Sequence, residues 1–197
     1  MEHAIVFLDR ESVDANVRKP NFPHTYKEYE STWTPDEIVT RLKDATIAII
    51  NKVPMRADVL KQLPKLKLIA VAATGTDVVD KAYCKEHGIT VVNIRNYAFN
   101  TVPEHVIALI FALRRNLLTY VNDVQNGVWN KSSQFCFLTH PIRDIAGSTL
   151  GIVGYGALGK SIGKRAEALG MKVLPFDVVP QPGLVDFDTI LRESDII

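Results

Sequence analysis

The chain is 197 residues long with a net charge of +1, 47% hydrophobic and 23% charged residues, the composition of a folded globular chain rather than a disordered one. No apolar run approaches the roughly 18 residues that cross a bilayer, the start MEHAIVFLDRES puts acids where a secretory leader carries positive charge, and no basic block offers a surface to nucleic acid or anionic membrane. These features point to a cytoplasmic protein whose partners are small molecules or a second copy of itself. Two cysteines, Cys84 and Cys136, stand far apart with no CxxC pair, which argues against a disulfide framework and a metal site and makes both simplest as core residues.

Short β-branched runs alternate with amphipathic stretches through the first hundred residues, the pattern of a parallel α/β unit. The spacing predicts a strand at 4–8 and a helix from 35 to about 43, opened by the cap signal Thr34-Pro35-Asp36-Glu37. A strand at 46–50, a short helix at 55–62 and a strand at 66–72 follow. After the turn Thr74-Gly75-Thr76, Asp77 is a candidate cap for a helix closed by Gly88, and ITVVN at 89–93 reads as the next strand. Residues 101–120 read as one long, apolar helix with Pro103 in its first turn. The stretch 121–147, with Trp129, Phe135 and Phe137, lacks clean periodicity and suits an arm against a neighbouring surface. A second βαβ unit begins with a strand at 148–153, a helix at 157–169, a strand at 171–176 and a helix at 186–193, and Asp195-Ile196-Ile197 reads as the opening of a further strand.

The strand at 148–153 runs straight into Gly154-Tyr155-Gly156-Ala157-Leu158-Gly159. In GxGxxG the first glycine permits a tight turn, the second lets backbone approach a pyrophosphate, and the third lets the helix pack closely on the strand. The helix N-terminus adds unpaired N–H groups and partial positive charge. Asp177 ends the next strand, near the spacing of about 20 residues at which an acid accepts the adenosine ribose hydroxyls. An acid there repels a 2′-phosphate, so the expected cofactor is NAD. A glycine-rich turn without a ligand, or the related loop that binds S-adenosylmethionine, are the alternatives, and a plain turn role is the alternative for Asp177.

Taken together, LGIVGYGALG with VLPFD, preceded in order by LPKLKLIAVAATGTDVVD, GITVVN and TVPEHVIALIFALRRN, resembles the D-isomer-specific 2-hydroxyacid dehydrogenase family across nearly the whole chain. Within it, Asn51-Lys52, ATGTD and GVWNKSSQFCF look most like glycerate dehydrogenases, also called hydroxypyruvate reductases. The resemblance implies a flavodoxin-like substrate domain over 1–98 and the first half of a Rossmann NAD-binding domain over 99–197, both with parallel sheets. The linking helix 101–120 and a homodimer arm 121–147 belong to the second. It implies that Asn51, Thr74, Gly75, Thr76 and Asn100 bind a small 2-oxo or 2-hydroxy acid, and that Thr101, Val102, the turn 154–159 and Asp177 bind the cofactor. Backbone N–H groups at 74–76 would then face the substrate carboxylate, as an anion nest does.

The same resemblance implies a catalytic arginine, glutamate and histidine in segments that follow Ile197, so no catalytic residue is expected among these 197, and the chain alone is expected to be catalytically inactive and either unstable or partly open. His105, on a helix face beside Glu104, is expected to pack rather than to act as a base. His3, His24, His87 and His140 are expected to be solvated. Arg114 and Arg115 suit the dipole at a helix end. Two other activities stay open: an NAD-sensing, non-catalytic dimer of this fold, and a family dehydrogenase for another 2-oxo acid.

Overall fold

The computed structural model describes residues 2–197, which pack as two units divided between Asn96 and Tyr97. In the first, five strands are β1 (His3–Phe7), β2 (His24–Glu28), β3 (Ile47–Ile50), β4 (Leu68–Val71) and β5 (Thr90–Asn93). They form one sheet in the order β2-β1-β3-β4-β5, with every pairing parallel. This is the flavodoxin-like order, and its direction reverses between β1 and β3. Helices α1 (Pro35–Leu42), α2 (Ala57–Leu60) and α3 (Lys81–Glu86) connect the strands. Leu8, Ile38, Leu42, Ile50, Met55, Leu63 and Ile69 are fully buried between helices and sheet. Parallel strands covered on both faces read as continuous apolar runs, which is why β1, β3 and β4 stand out in the sequence.

β2 does not stand out, because it is an edge strand of sequence HTYKE whose polar side chains are largely exposed. The α1 cap is as the sequence predicts: the Thr34 hydroxyl accepts the Glu37 N–H, and Glu37 accepts the N–H of Thr34 in return. The α3 cap differs. Asp80, not Asp77, accepts the Tyr83 N–H at 3.0 Å, because residues 77–79 are spent on a turn that pairs Val79 with Met55. Cys84 is buried in this core, and burial first, with Asp80 second, pushes its thiol above its ordinary range. Cys136 is only half-buried, because it lies in the irregular stretch of the second unit.

The second unit holds α4 (Ala98–Arg114), α5 (Leu117–Gln125), β6 (Thr149–Val153), α6 (Ala157–Ala168), β7 (Lys172–Phe176) and α7 (Phe187–Glu193). β6 pairs with β7 in parallel and also bridges in parallel to Ile196, so Leu150 has a neighbour on each edge. Ile110, Leu150, Ile152, Ala166 and Met171 form the core. The single helix expected over 101–120 is two. Asn116 adopts a left-handed φ of 49° and breaks it, and its side-chain amide donates to Pro141 O. Arg114 donates to Asp144 O and Arg115 pairs with the Asp144 carboxylate at 2.6 Å, so the arginines hold the 141–145 segment across this joint besides ending a helix.

Helix α4 starts three residues earlier than expected, which makes Pro103 an interior residue. Proline has no N–H, so the carbonyl four residues back, that of Phe99, loses its helical donor. Ser161 Oγ of α6 donates to it at 3.0 Å. One position on, Arg165 donates to the Asn100 side-chain oxygen at 2.8 Å.

Candidate functional site

The glycine turn sits where β6 gives way to α6. Gly154 has a φ of +99°, which only glycine adopts without strain, and its N–H donates to Phe176 O of β7 at 2.8 Å. A Cβ on Gly159 would overlap the Gly154 carbonyl oxygen, so close packing of helix on turn fixes the third glycine. Gly156 is different: its φ is ordinary and a Cβ there would meet nothing within 4 Å. The space above it is open. Among the described residues, the N–H groups of Gly156, Ala157 and Leu158 donate to no protein acceptor, and all three residues are exposed at the start of a 12-residue helix. An open cradle ringed by unpaired donors at a helix N-terminus has the chemistry of a phosphate site.

Asp177 closes the turn from the side. Its carboxylate accepts the Tyr155 N–H at 2.7 Å and the Val179 N–H at 2.9 Å, while Gln181 donates to Tyr155 O at 3.2 Å. Each carboxylate oxygen keeps a further lone pair for an incoming hydroxyl. Thr101 and Val102 are exposed in the second turn of α4, which the Ser161 and Arg165 bonds tie to α6. Asn100 lies inside α4 rather than capping it, and its oxygen is taken by Arg165.

In the first unit, the residues that follow the strands gather at the carboxyl edge of the sheet, where open parallel sheets bind ligands. Thr74 and Gly75 are exposed and Thr76 half-buried just past β4. Among the described residues, the N–H groups of all three donate to no protein acceptor. This turn is braced from its neighbours. Asn93 Nδ2 donates to Thr74 O at 2.7 Å, the Thr74 hydroxyl donates to Ile94 O at 3.0 Å, and Arg56 donates to Asp77 O at 2.8 Å.

Asn51, past β3, has its amide donors engaged by Ser12 at 3.1 and 3.2 Å. Its backbone N–H and that of Lys52 both donate to the Asp9 carboxylate, at 2.9 and 2.7 Å. Asp9 is 6% exposed and fills the point between β1 and β3 where the sheet order reverses. Sequence reasoning missed Asp9 and Asn93. Each is the polar residue that directly follows or ends an apolar strand, and that position was the available signal.

Of the histidines, His105 is exposed on α4, and His140 is half-buried, its Nε2 3.1 Å from Asp123 and its carbonyl bonded by Tyr120. His140 is therefore a packing residue, not a solvated one. His87 stacks on Tyr83 at 3.9 Å. Phe135 and Leu138 of the irregular stretch are more than four-fifths exposed.

Comparison with known proteins bears on all of these segments. A family model described as D-isomer specific 2-hydroxyacid dehydrogenase, catalytic domain, matches residues 5–170. The chain is 75% identical over 197 residues to a glycerate dehydrogenase of Methylorubrum extorquens, covering all of this chain and 63% of that protein. It is 44% identical to a putative 2-hydroxyacid dehydrogenase of Haemophilus influenzae, covering 98% and 63%. Among solved structures, the D-lactate dehydrogenase of Aquifex aeolicus complexed with NAD and lactic acid is 27% identical with a TM-score of 0.74, over 98% of this chain and 59% of that one. The chain thus spans somewhat under two thirds of the length of the relatives it matches, and by its sequence and its fold it belongs to the D-isomer specific 2-hydroxyacid dehydrogenase family.

Proposed function

We propose that these residues form the substrate-binding and cofactor-binding parts of an NAD-dependent dehydrogenase of the glycerate dehydrogenase type, which interconverts hydroxypyruvate and D-glycerate. The observation that carries the reading is the run of three unpaired N–H groups at Thr74, Gly75 and Thr76 on the carboxyl edge of a parallel sheet. Successive backbone N–H groups suit a 2-oxo acid carboxylate without adding a full positive charge. The identity to a glycerate dehydrogenase supports the choice of acid.

Residues 1–98 are assigned as substrate domain and 99–197 as nucleotide domain. The open cradle at Gly156 and the donors of Gly156, Ala157 and Leu158 fit the pyrophosphate of NAD. Gly154, Tyr155 and Gly159 shape that cradle, and Asp177 keeps acceptor capacity for the ribose hydroxyls. Thr101 and Val102, exposed on a turn tied to α6, are assigned to the nicotinamide side. When bound, NAD supplies the hydride acceptor at C4 of its nicotinamide. The protein's residues bind and orient: 74–76 hold the carboxylate, with Asn51 lining the acid, and no residue from Met1 to Ile197 is assigned to proton transfer. The exposed Trp129, Phe135 and Leu138 of the arm 121–147 support a homodimer contact.

The test is calorimetric titration of the chain with NAD and NADP, together with NADH oxidation by hydroxypyruvate in this chain and in one extended to the length of its relatives. The expected result is NAD binding in both and turnover in the longer protein. Absence of NAD binding overturns the reading. NAD binding without turnover in the longer protein reassigns the fold to an NAD sensor.

A further inference from the structure

We propose that Asn93 is a positioning residue for the substrate carboxylate, acting through the peptide between Thr74 and Gly75. This inference rests on the carboxylate reading given above. The Thr74 carbonyl and the Gly75 N–H belong to one planar peptide that is trans, as are all those of the described residues, so the two groups point in opposite directions. Whatever fixes the carbonyl fixes the N–H.

Asn93 fixes the carbonyl. It is the last residue of β5, held in register opposite Val71 of β4, and its Nδ2 donates to Thr74 O at 2.7 Å. The Gly75 N–H therefore points away from Asn93 and is left without a protein partner. A second strap runs the other way: Thr74 Oγ1 donates to Ile94 O at 3.0 Å, and the Ile94 N–H donates to Ala73 O at 3.2 Å. Three hydrogen bonds thus tie the two residues before Gly75 to the end of β5.

The need for the straps follows from Gly75 itself. It lacks the side chain that limits backbone rotation, and a Cβ there would stand 3.1 Å from Asp77 Oδ1, a tight contact. A small shift of the exposed Asp77 side chain would relieve that contact, so what sets Gly75 apart is its backbone freedom. That freedom leaves the 74–75 peptide able to rotate, and a rotated peptide would present a carbonyl oxygen, an acceptor, to the carboxylate. Asn93 is half-buried, carries no charge and spends its amide donor on Thr74 O, so its part is to hold the Gly75 donor in its outward orientation.

The test uses the protein extended to the length of its relatives and labelled with 15N, hydroxypyruvate as probe, and the variants Asn93→Leu, Asn93→Ala and Thr74→Val. Leucine keeps the branched outline of asparagine while removing the donor and adding no charge, alanine removes the side chain beyond Cβ, and valine removes the second strap. In the unmodified chain, hydroxypyruvate is expected to shift the amide resonances of 74–76. In N93L the dipolar coupling of the Gly75 amide changes and affinity for hydroxypyruvate falls about tenfold, as for one lost oriented hydrogen bond. In T74V the same changes are smaller, while NAD affinity, which rests on residues 99–197, is unaltered in both. A merely structural role would lower the melting temperature without turning the Gly75 coupling. If hydroxypyruvate shifts no amide of 74–76 in the unmodified chain, the carboxylate reading falls, and the role of Asn93 with it. If those shifts and the affinity persist in N93L, or in N93A should N93L fail to fold, the positioning role alone falls.

Discussion

The turn at 74–76 and the turn at 154–159 offer the same thing, a run of N–H groups without partners, and hold it by different means. The glycine turn is held by its own shape: a left-handed Gly154, a Gly159 pressed on the Gly154 carbonyl, and a single acid at the side. The turn at 74–76 has no residue in a left-handed conformation and is held by side chains from about 20 positions away, Asn93 and Arg56. Local geometry shapes one run of free donors and distant hydrogen bonds shape the other. A site of the first kind fails by clash, whereas one of the second kind fails by release.

The largest effect is expected at Gly159. The alanine methyl of G159A meets backbone that cannot rotate out of its way, so chemical denaturation should report a loss of about 2–4 kcal/mol in the second unit, with NAD binding abolished. G156A sharpens the contrast. Its methyl enters open space and its φ suits alanine, so stability should stay within about 0.5 kcal/mol while NAD affinity, read by calorimetry, falls about a hundredfold. Equal losses of stability in the two variants would end the claim that only Gly156 faces a ligand.

In the first unit, D9A removes the acceptor of two backbone N–H groups at a site 6% exposed. Unfolding should become easier by about 2–3 kcal/mol, with exchange protection lost at Asn51 and Lys52. The smallest effect is at the helix caps. The Trp33 and Thr34 N–H groups hold the Glu37 carboxyl below its ordinary 4.5, and the Thr189 N–H, then its hydroxyl, hold Asp186 below 3.8. Lowered values mean that these caps are complete above the ordinary values and are lost as pH falls through the folded ones. Amide exchange in the first turns of α1 and α7 should therefore quicken together in acid, and E37Q should remove the pH dependence from α1 alone.

How much was legible follows the same division. GxGxxG, the Thr34 cap and the apolar strands write their constraint in adjacent residues, and the parallel α/β order follows from them. Edge strand β2 was not legible, because a strand with exposed polar faces leaves no hydrophobic period. Nor was the break at Asn116, where an apolar helical pattern runs on through a residue that turns left-handed and bonds to Pro141, 25 positions away. The candidate site residues were named from their own positions, but the engagement of Asn51 by Ser12 and of Asn100 by Arg165 depends on partners 39 and 65 residues distant. Asp9 and Asn93 were missed for that reason.

Pro103 has a consequence for cooperativity. The Phe99 carbonyl that it orphans gains a donor only when Ser161 is in place, so the first turn of α4 is completed by the folding of α6 and not by its own helix. The segment bearing Thr101 and Val102 and the helix that follows the glycine turn should therefore open and close as one unit, with a shared protection against exchange. Two stretches separated by more than fifty residues are made into a single folding element by one missing N–H.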